Sequence, residues 1–187
     1  MIALKSILKG LSEWIIIIAI AFVLSIVIRN YLIDTRIVPS GSMLPTIQLQ
    51  DRLIVDRAFY KYDTIERGDI IVFKAPEAAD EDLDLVKRAI GLPGEKLEVK
   101  QGIVYINDKM LNEPYVVEPA DYDYGPVEIP EDSYFMLGDN RRYSKDSHVW
   151  GFVPSDNILG RVLIRYWPLE GFGHLVKAPE VYFADKK

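Results

Sequence analysis

The sequence contains no cysteine and only two histidines, His148 and His174, among its 187 residues. Without cysteine the chain cannot form a disulfide, a thiolate metal site or a cysteine nucleophile. A Ser-His-Asp triad or a multi-histidine metal site would depend on one of the two histidines. The net charge of -6 argues against general nucleic-acid binding. These absences favour chemistry that needs neither a thiol nor an imidazole.

Charge is also absent from the segment between Glu13 and Arg29, which consists almost wholly of apolar residues. A membrane span needs about 20 apolar residues, and the apolar residues that follow Arg29 extend the run to Ile33. A buried core helix would carry a polar stripe, and this run has none. A cleavable leader would be followed by a small-x-small cleavage site, which is missing. We therefore predict one uncleaved transmembrane helix over residues 13–33.

The basic residues Lys5 and Lys9 precede this segment. Because positive charge tends to remain on the cytoplasmic side, the pattern predicts a cytoplasmic N-terminus over residues 1–12. Residues 34–187 are then predicted to form an extracytoplasmic domain.

Residues beyond 50 have the pattern of strands separated by turns. Short β-branched or apolar runs end at Gly, Pro, Asn and Asp clusters, and no stretch has convincing helical periodicity. The segment from about residue 110 to residue 132 is rich in Pro, Tyr and acidic side chains and is predicted to form irregular loops. The pattern predicts a mainly β, antiparallel domain with strands at 51–57, 70–73, 85–90, 95–99, 102–106, 133–137 and 158–167.

Residues 38–46 hold two serines, Ser40 and Ser42, between Pro39 and Pro45. Proline restricts its own backbone and that of the preceding residue, so this stretch should be stiff. By itself the segment could be a linker between an anchor and a domain. It could equally present Ser42 at a defined angle.

Lys87 lies within a strand-like run, next to Arg88. Because strand side chains alternate, the two basic residues should point to opposite faces. If the strand is covered on both faces, at least one of them is buried or lines a cleft. Desolvation disfavours an ammonium ion, and a neutral lysine can take the proton of a serine hydroxyl without the help of histidine.

Residues 138–151 form a dense polar stretch between two predicted strands. This stretch could be a surface turn held by side-chain hydrogen bonds. It could also be a support for a catalytic group.

Taken together, these stretches resemble the ordered boxes of the bacterial type I signal peptidases (leader peptidases). The resemblance extends from the apolar segment to about Trp167. It implies a β-sheet catalytic domain with a small, cap-like subdomain at about residues 97–132. It also implies that the protein is a serine endopeptidase that removes signal peptides from exported preproteins through an acyl-enzyme. The matching stretches are 39–46, 67–73, 87–95 and 138–151.

The resemblance also implies roles for individual residues. Ser42 would be the nucleophile and Lys87 the general base. Ser40 would contribute to the oxyanion hole, and Ser144 would hydrogen-bond Lys87 and orient it. The residues predicted to support this loop are Asp139, Asn140, Arg141, Asp146 and His148.

The substrates implied are preproteins whose signal peptides end in small-x-small motifs, and the lipid bilayer is the implied second partner. An extended peptide would pair with strand edges at the site. No metal or organic cofactor and no nucleic acid is implied, and the oligomeric state is left open. The pocket residues implied are Val38, Pro39, Met43, Leu85 and Val86.

His148 departs from the common pattern, in which arginine stands two residues after the Asp146 equivalent. Histidine at this position resembles the thylakoid-processing branch of the family, so the membrane could be the plasma membrane or a thylakoid. Unlike arginine, His148 can lose its charge near neutral pH. The segment between the Lys87 and Ser144 stretches is also short, which implies a reduced cap.

Two other hypotheses fit parts of the sequence. A self-cleaving regulator of the SOS-repressor type also uses a Ser/Lys pair on a β scaffold, although the chain has no DNA-binding helical domain. A membrane-tethered β module that binds extracytoplasmic proteins would use the serine stretch only as a linker.

Overall fold

The computed structural model describes residues 2–28, 32–58, 64–80 and 82–175. Twelve strands and two α-helices lie in these ranges, so the predicted mainly β, antiparallel fold is confirmed. The elements are α1 Ile2–Val27, β1 Ile33–Ile37, β2 Arg52–Asp56, β3 Ile70–Lys74, β4 Asp84–Gly91, β5 Lys96–Lys100, β6 Ile103–Ile106, β7 Lys109–Met110, β8 Tyr124–Glu128, β9 Ser133–Leu137, α2 Ser147–Trp150, β10 Val153–Pro154, β11 Ile158–Trp167 and β12 Gly173–His174.

The larger sheet contains the strands that hold the site. Its order is β1-β2-β11-β3-β4-β9-β10, and β12 pairs with β11. Strand β3 is a β-branched run whose first four residues are buried, as expected for a central strand covered on both faces. Strand β4 lies between β3 and β9, in antiparallel register with both. Lys87 and Arg88 are therefore carried by a central strand.

The smaller sheet has the order β7-β6-β5-β8. A turn at Gln101 and Gly102, both with positive φ, joins β5 to β6. Strand β8 corrects the prediction that residues 110–132 are irregular throughout. It contains Pro126, which argues against a central strand, but β8 is an edge strand, where a missing N–H is tolerated.

One apolar cluster joins the two sheets. Leu97, Val104 and Ile106 of the smaller sheet pack with Ile90 and Phe135 of the larger one, and all five are fully buried. This shared core gives the smaller sheet a fixed position beside the end of β4.

Helix α1 begins earlier and ends earlier than the predicted helix over residues 13–33. Its backbone is helical over Ile2–Val27, and Ile33 belongs to β1. Residues 29–31 of the predicted span lie outside the described residues. From Trp14 to Val27 the large apolar side chains are between 42% and 66% exposed. Within the described part of the chain, no helix combines the length and the apolar character needed to cross a membrane.

Candidate active site

A groove of about 450 Å³ runs between the chain that follows β1 and the first half of β4. All five predicted pocket residues line this groove, together with Ser40, Ser42 and Lys87. The lining residues are Arg36, Ile37, Val38, Pro39, Ser40, Ser42, Met43, Val72, Asp82, Leu83, Asp84, Leu85, Val86 and Lys87.

Ser42 is held by a short segment with many backbone hydrogen bonds. The Val38 N–H donates to the Asp51 carbonyl at 3.0 Å, and the Gln50 N–H donates to the Val38 carbonyl at 2.8 Å. The neighbouring Met43 is buried in the core below the groove. Because the segment is anchored at Val38 and at Met43, on either side of the two serines, these contacts are consistent with the prediction of a stiff serine segment.

The two serine hydroxyls are close to each other. Ser40 Oγ lies 3.4 Å from Ser42 Oγ, with either atom able to donate. Ser42 is only 8% exposed, whereas Ser40 is exposed. A hydroxyl this close to a nucleophile can donate to an oxyanion that forms beside it.

Lys87 is 3% exposed, although its side chain lines the groove. Its Cα is paired with that of Ile71 on β3. Arg88 is also buried, so both basic residues of this strand are removed from water rather than only one.

The loop after β9 contacts the serine segment directly. The Asn140 N–H donates to the Ser42 carbonyl at 3.1 Å, and Asn140 Nδ2 donates to the Gly41 carbonyl at 3.1 Å. At Gly138 the two segments come so close that a Cβ would lie 2.5 Å from the Ser42 carbonyl oxygen and 2.6 Å from Ser144 Cβ. Only glycine allows this approach.

Ser144 is buried beside Gly138. Its Oγ has no hydrogen-bond partner among the described residues. The hydrogen bond from Ser144 to Lys87 that the resemblance implied is therefore not formed in this structure. A buried hydroxyl without a partner costs free energy, so a small change in the groove that gives it a partner would be favourable.

Asp139 connects the serine segment to β4. Its carboxylate accepts two hydrogen bonds from Arg88, at 2.8 Å from Nε and 2.6 Å from Nη2, and one from Thr46 Oγ1 at 2.5 Å. Burial by itself would lower the pKa of Arg88, but the hydrogen bond and the charge of Asp139 raise it above its ordinary value. Arg88 therefore remains charged, and this ion pair links the residue after Lys87 to the serine segment.

A second buried ion pair attaches the chain that follows β7 to the same loop. Arg141 donates to Glu113 at 2.8 Å and 2.5 Å, and Arg141 Nε donates to the Gly138 carbonyl at 3.0 Å. Tyr115 donates its hydroxyl to Glu113 at 2.7 Å, and its ring lies 4.0 Å from the Arg88 guanidinium carbon. The roles of Glu113 and Tyr115 were not predicted, because no local pattern relates them to residues so far along the chain.

Asp146 and His148 form a pair, which the sequence could not establish. His148 Nδ1 lies 2.6 Å from Asp146 Oδ1, and the other carboxylate oxygen accepts the Gly138 N–H at 2.9 Å. The imidazole stacks on the Tyr122 ring with 3.8 Å between the ring centroids. His148 does not line the groove, so these contacts fit a supporting residue better than a catalytic base.

Two partly buried tyrosines, Tyr115 and Tyr122, make the stability of the fold depend on pH in the alkaline range. Desolvation raises the pKa of Tyr115 and of Tyr122 above the ordinary value. Unfolded tyrosine loses its proton near pH 10, so above about pH 10 the unfolded state releases protons that the folded state keeps. The stability that the two tyrosines contribute is therefore fully present below pH 10 and is lost as the pH rises beyond it. We expect the urea midpoint to fall above pH 10, and to fall less steeply in Tyr122→Phe.

Substitutions at neutral pH distinguish the two tyrosines. The Tyr122 hydroxyl is buried without a hydrogen-bond partner among the described residues, so Tyr122→Phe should be neutral or stabilising. Tyr115→Phe loses the hydrogen bond to Glu113 and should cost about 2 kcal/mol in urea unfolding. The exposed Tyr143→Phe is the control, and an equal loss in all three variants would contradict this explanation.

Comparison with known proteins relates this site to one family. The family described as "Signal peptidase, peptidase S26" matches residues 11–167. The chain is 47% identical to the probable signal peptidase I-2 of Synechocystis sp., over 86% of this chain and 75% of that protein. It is 45% identical to the signal peptidase I of Leptolyngbya laminosa, over 90% and 86% respectively.

More distant relatives are similar as well. The probable thylakoidal processing peptidase 2 of Arabidopsis thaliana is 40% identical over 79% of this chain and 42% of that protein. A crystal structure of a signal peptidase I from Enterococcus faecalis is 33% identical, with a TM-score of 0.46 over 51% of this chain and 94% of that chain. The family match covers most of the chain and its first relatives are matched over most of their length, and so the chain belongs to the type I signal peptidases, serine proteases that cleave signal peptides.

Proposed function

We propose that this peptidase uses Ser42 as the nucleophile and Lys87 as the general base. The observation that carries the proposal is that both side chains are buried and line the same groove. A lysine shielded from water gives up its proton more readily than one in solvent. No imidazole lines the groove among the described residues, which supports an amine in the role of base.

The reaction proceeds in two stages. Lys87 takes the proton of the Ser42 hydroxyl as Ser42 Oγ bonds to the carbonyl carbon of the residue before the scissile bond. The C–N bond then breaks, the Lys87 ammonium returns its proton to the departing amine, and the signal peptide remains as an ester on Ser42. Water, deprotonated in turn by Lys87, hydrolyses the ester and frees Ser42.

The negative charge that develops on the carbonyl oxygen needs donors. The Ser40 hydroxyl and the Ser42 backbone N–H would supply them, and the 3.4 Å separation of the two hydroxyls supports this role for Ser40. Ser144 would orient the Lys87 amine once substrate fills the groove. The contacts of Asp139, Asn140, Arg141, Asp146 and His148 support the loop that carries Ser144.

The substrate would lie extended along the groove and pair with the chain edges at Val38 and at Leu85 to Lys87. Val38 and Met43 are buried and pack with Val86, which leaves little depth below the groove. Shallow pockets of this kind accept small side chains at the first and third residues before the scissile bond. Signal peptides that end in small-x-small motifs would be selected for this reason.

The segment over residues 13–33 would anchor the enzyme in a bilayer, with residues 1–12 in the cytoplasm and residues 34–187 on the other side. The uncharged run between Glu13 and Arg29 and the exposed apolar side chains of α1 support the anchor, and Lys5 and Lys9 before it support the orientation. Substrates that carry their own apolar segment would then meet the enzyme within the same membrane.

Acylation of the enzyme tests the proposal. The full chain, purified in detergent, is incubated with a preprotein that carries an Ala-x-Ala site and, separately, with a penem that acylates serine. We expect cleavage directly after the second alanine, and one penem adduct that peptide mapping assigns to Ser42. An excess of substrate should protect Ser42 from the penem.

Two results would contradict the proposal. A penem adduct on another serine, with full cleavage retained, would exclude Ser42 as the nucleophile. Cleavage of this chain itself but of no added preprotein would instead indicate a self-processing protein.

A further inference from the structure

An ion pair joins the two walls of the groove at the end away from Ser42. Arg36 Nη1 lies 2.6 Å from Asp84 Oδ2, and both residues line the groove. Arg36 also pairs with Asp34, at 2.8 Å, but Asp34 lies on the same strand, β1. Only the pair with Asp84 crosses from one wall to the other.

The strand order makes this crossing informative. Three strands, β2, β11 and β3, separate β1 from β4 in the sheet. Contact between Arg36 and Asp84 therefore requires the sheet to curl until β1 and β4 face each other across its open side. The ion pair spans the gap that an extended peptide must enter to lie between these two segments.

Register relates the ion pair to the pockets. Side chains two residues apart on a strand point to the same face, so Arg36 lies on the face of Val38 and Asp84 on the face of Val86. The ion pair therefore lies about 7 Å along the groove from Val38 and Val86, a distance of two residues of extended chain. An extended substrate whose first residue before the scissile bond lies at Ser42 brings its third to this level.

Arg36 keeps one donor that the ion pairs do not use. Its Nε is buried and has no hydrogen-bond partner among the described residues. A buried N–H of this kind is costly to leave unsatisfied, and a peptide carbonyl in the groove can accept it. The guanidinium is thus suited both to close the groove and to contact the main chain of a bound peptide.

We propose that the Arg36–Asp84 ion pair determines specificity at the third residue before the scissile bond. This inference rests on the proposed function, since it takes the groove as the path of the substrate. With the pair closed, only a small side chain fits between the two walls at this level. A large side chain fits only if the ion pair opens. The free energy lost when the pair opens then lowers kcat/KM for that substrate.

Two peptide substrates that differ only at this third residue, alanine or leucine, test the proposal. The quantity compared is the ratio of kcat/KM for the leucine peptide to that for the alanine peptide. Both partners of the ion pair are about one-third exposed, 34% and 33%, so its contribution is modest. We expect Asp84→Asn to raise the ratio about fivefold over the wild type, the factor that about 1 kcal/mol produces.

Asp34→Asn is the matched control, because it removes the other ion pair of Arg36 and leaves the crossing pair intact. Its ratio should stay within about twofold of the wild type, and Asp84→Glu, which keeps the charge, should keep the ratio low. An unchanged ratio in Asp84→Asn, or an equal rise in Asp34→Asn, would overturn the inference.

The proposed function can be judged separately in the same assay. If the wild type cleaves the alanine peptide and Ser42→Ala does not, the proposed function stands and an unchanged ratio refutes the specificity device alone. Failure of the wild type to cleave the alanine peptide would refute both.

Discussion

Lys87→Ala is expected to lower kcat for signal-peptide cleavage by about a thousandfold or more. Without the amine, Ser42 loses the base that would remove its proton and return it to the departing amine, and general acid–base catalysis contributes factors of this size. Ser42→Ala should be equally inactive, since a nucleophile and its base act as a unit. The measurement is the initial rate of preprotein cleavage in detergent, at saturating substrate.

Lys87→Arg is the control that separates base catalysis from simple charge. Arginine keeps a positive charge near Ser42 but does not lose its proton in proteins. If Lys87 acts as a base, Lys87→Arg should be as inactive as Lys87→Ala. Retention of more than about a tenth of the wild-type rate would contradict the assignment and would indicate an electrostatic role for Lys87.

The fold of these variants must be checked, because Lys87 is buried within a central strand. Lys87→Met removes the amine and approximately keeps the side-chain volume. We expect it to unfold at or above the wild-type urea midpoint, since methionine needs no hydrogen bonds in the core. An inactive variant with an intact unfolding transition assigns the loss of activity to the chemistry.

Asp139→Asn is expected to cause the largest loss of stability, about 3–5 kcal/mol in urea unfolding. The substitution leaves the Arg88 guanidinium charged and buried, with its carboxylate partner gone. It also weakens the hydrogen bond from Thr46, which ties the serine segment to this loop. Activity should fall as well, because the next residue, Asn140, holds the carbonyls of Gly41 and Ser42.

Asp108→Asn provides a matched comparison. It removes the same kind of partner from Lys96, but at a site where Asp108 is 72% exposed and water replaces the lost interaction. We expect no measurable change in its urea midpoint. If both variants lose the same stability, burial does not determine the contribution of the Arg88–Asp139 pair, and this pair does not have the stabilising role given to it here.

Most strands of the larger sheet could be predicted from local sequence patterns. The runs at 70–73, 133–137 and 158–167 match β3, β9 and β11 closely, since long β-branched or aromatic runs bounded by turn residues have few other structures available. Strand β8 was missed, because its Gly125 and Pro126 argue against a strand unless the strand is known to lie at an edge. Whether a strand lies at the edge of a sheet depends on the order of the strands, and the periodicity of residue types along the sequence does not give that order.

The site divides in a similar way. Ser42, Lys87 and the loop of Asp139 and Asn140 could be selected from their residue types and their order along the chain. Glu113 could not, because its partner Arg141 lies 28 positions away and an acidic residue in a polar segment is ordinarily solvated. The burial of Arg88 could be predicted only on the condition that its strand is covered on both faces. Its carboxylate partner, Asp139, could not be predicted, because it is 51 positions away.

The amino-acid sequence by itself determined the family, the serine and lysine that we propose as nucleophile and base, and the strand-forming runs, since these depend on residue type and local spacing. Tertiary structure decided which buried charges are paired, that Ser144 Oγ lacks a hydrogen-bond partner among the described residues, and that an ion pair from β1 to β4 crosses the groove. The physical reason is that a buried charge is stable only beside a partner. The identity of that partner depends on the curl and strand order of the sheet, which bring together residues that no local pattern connects.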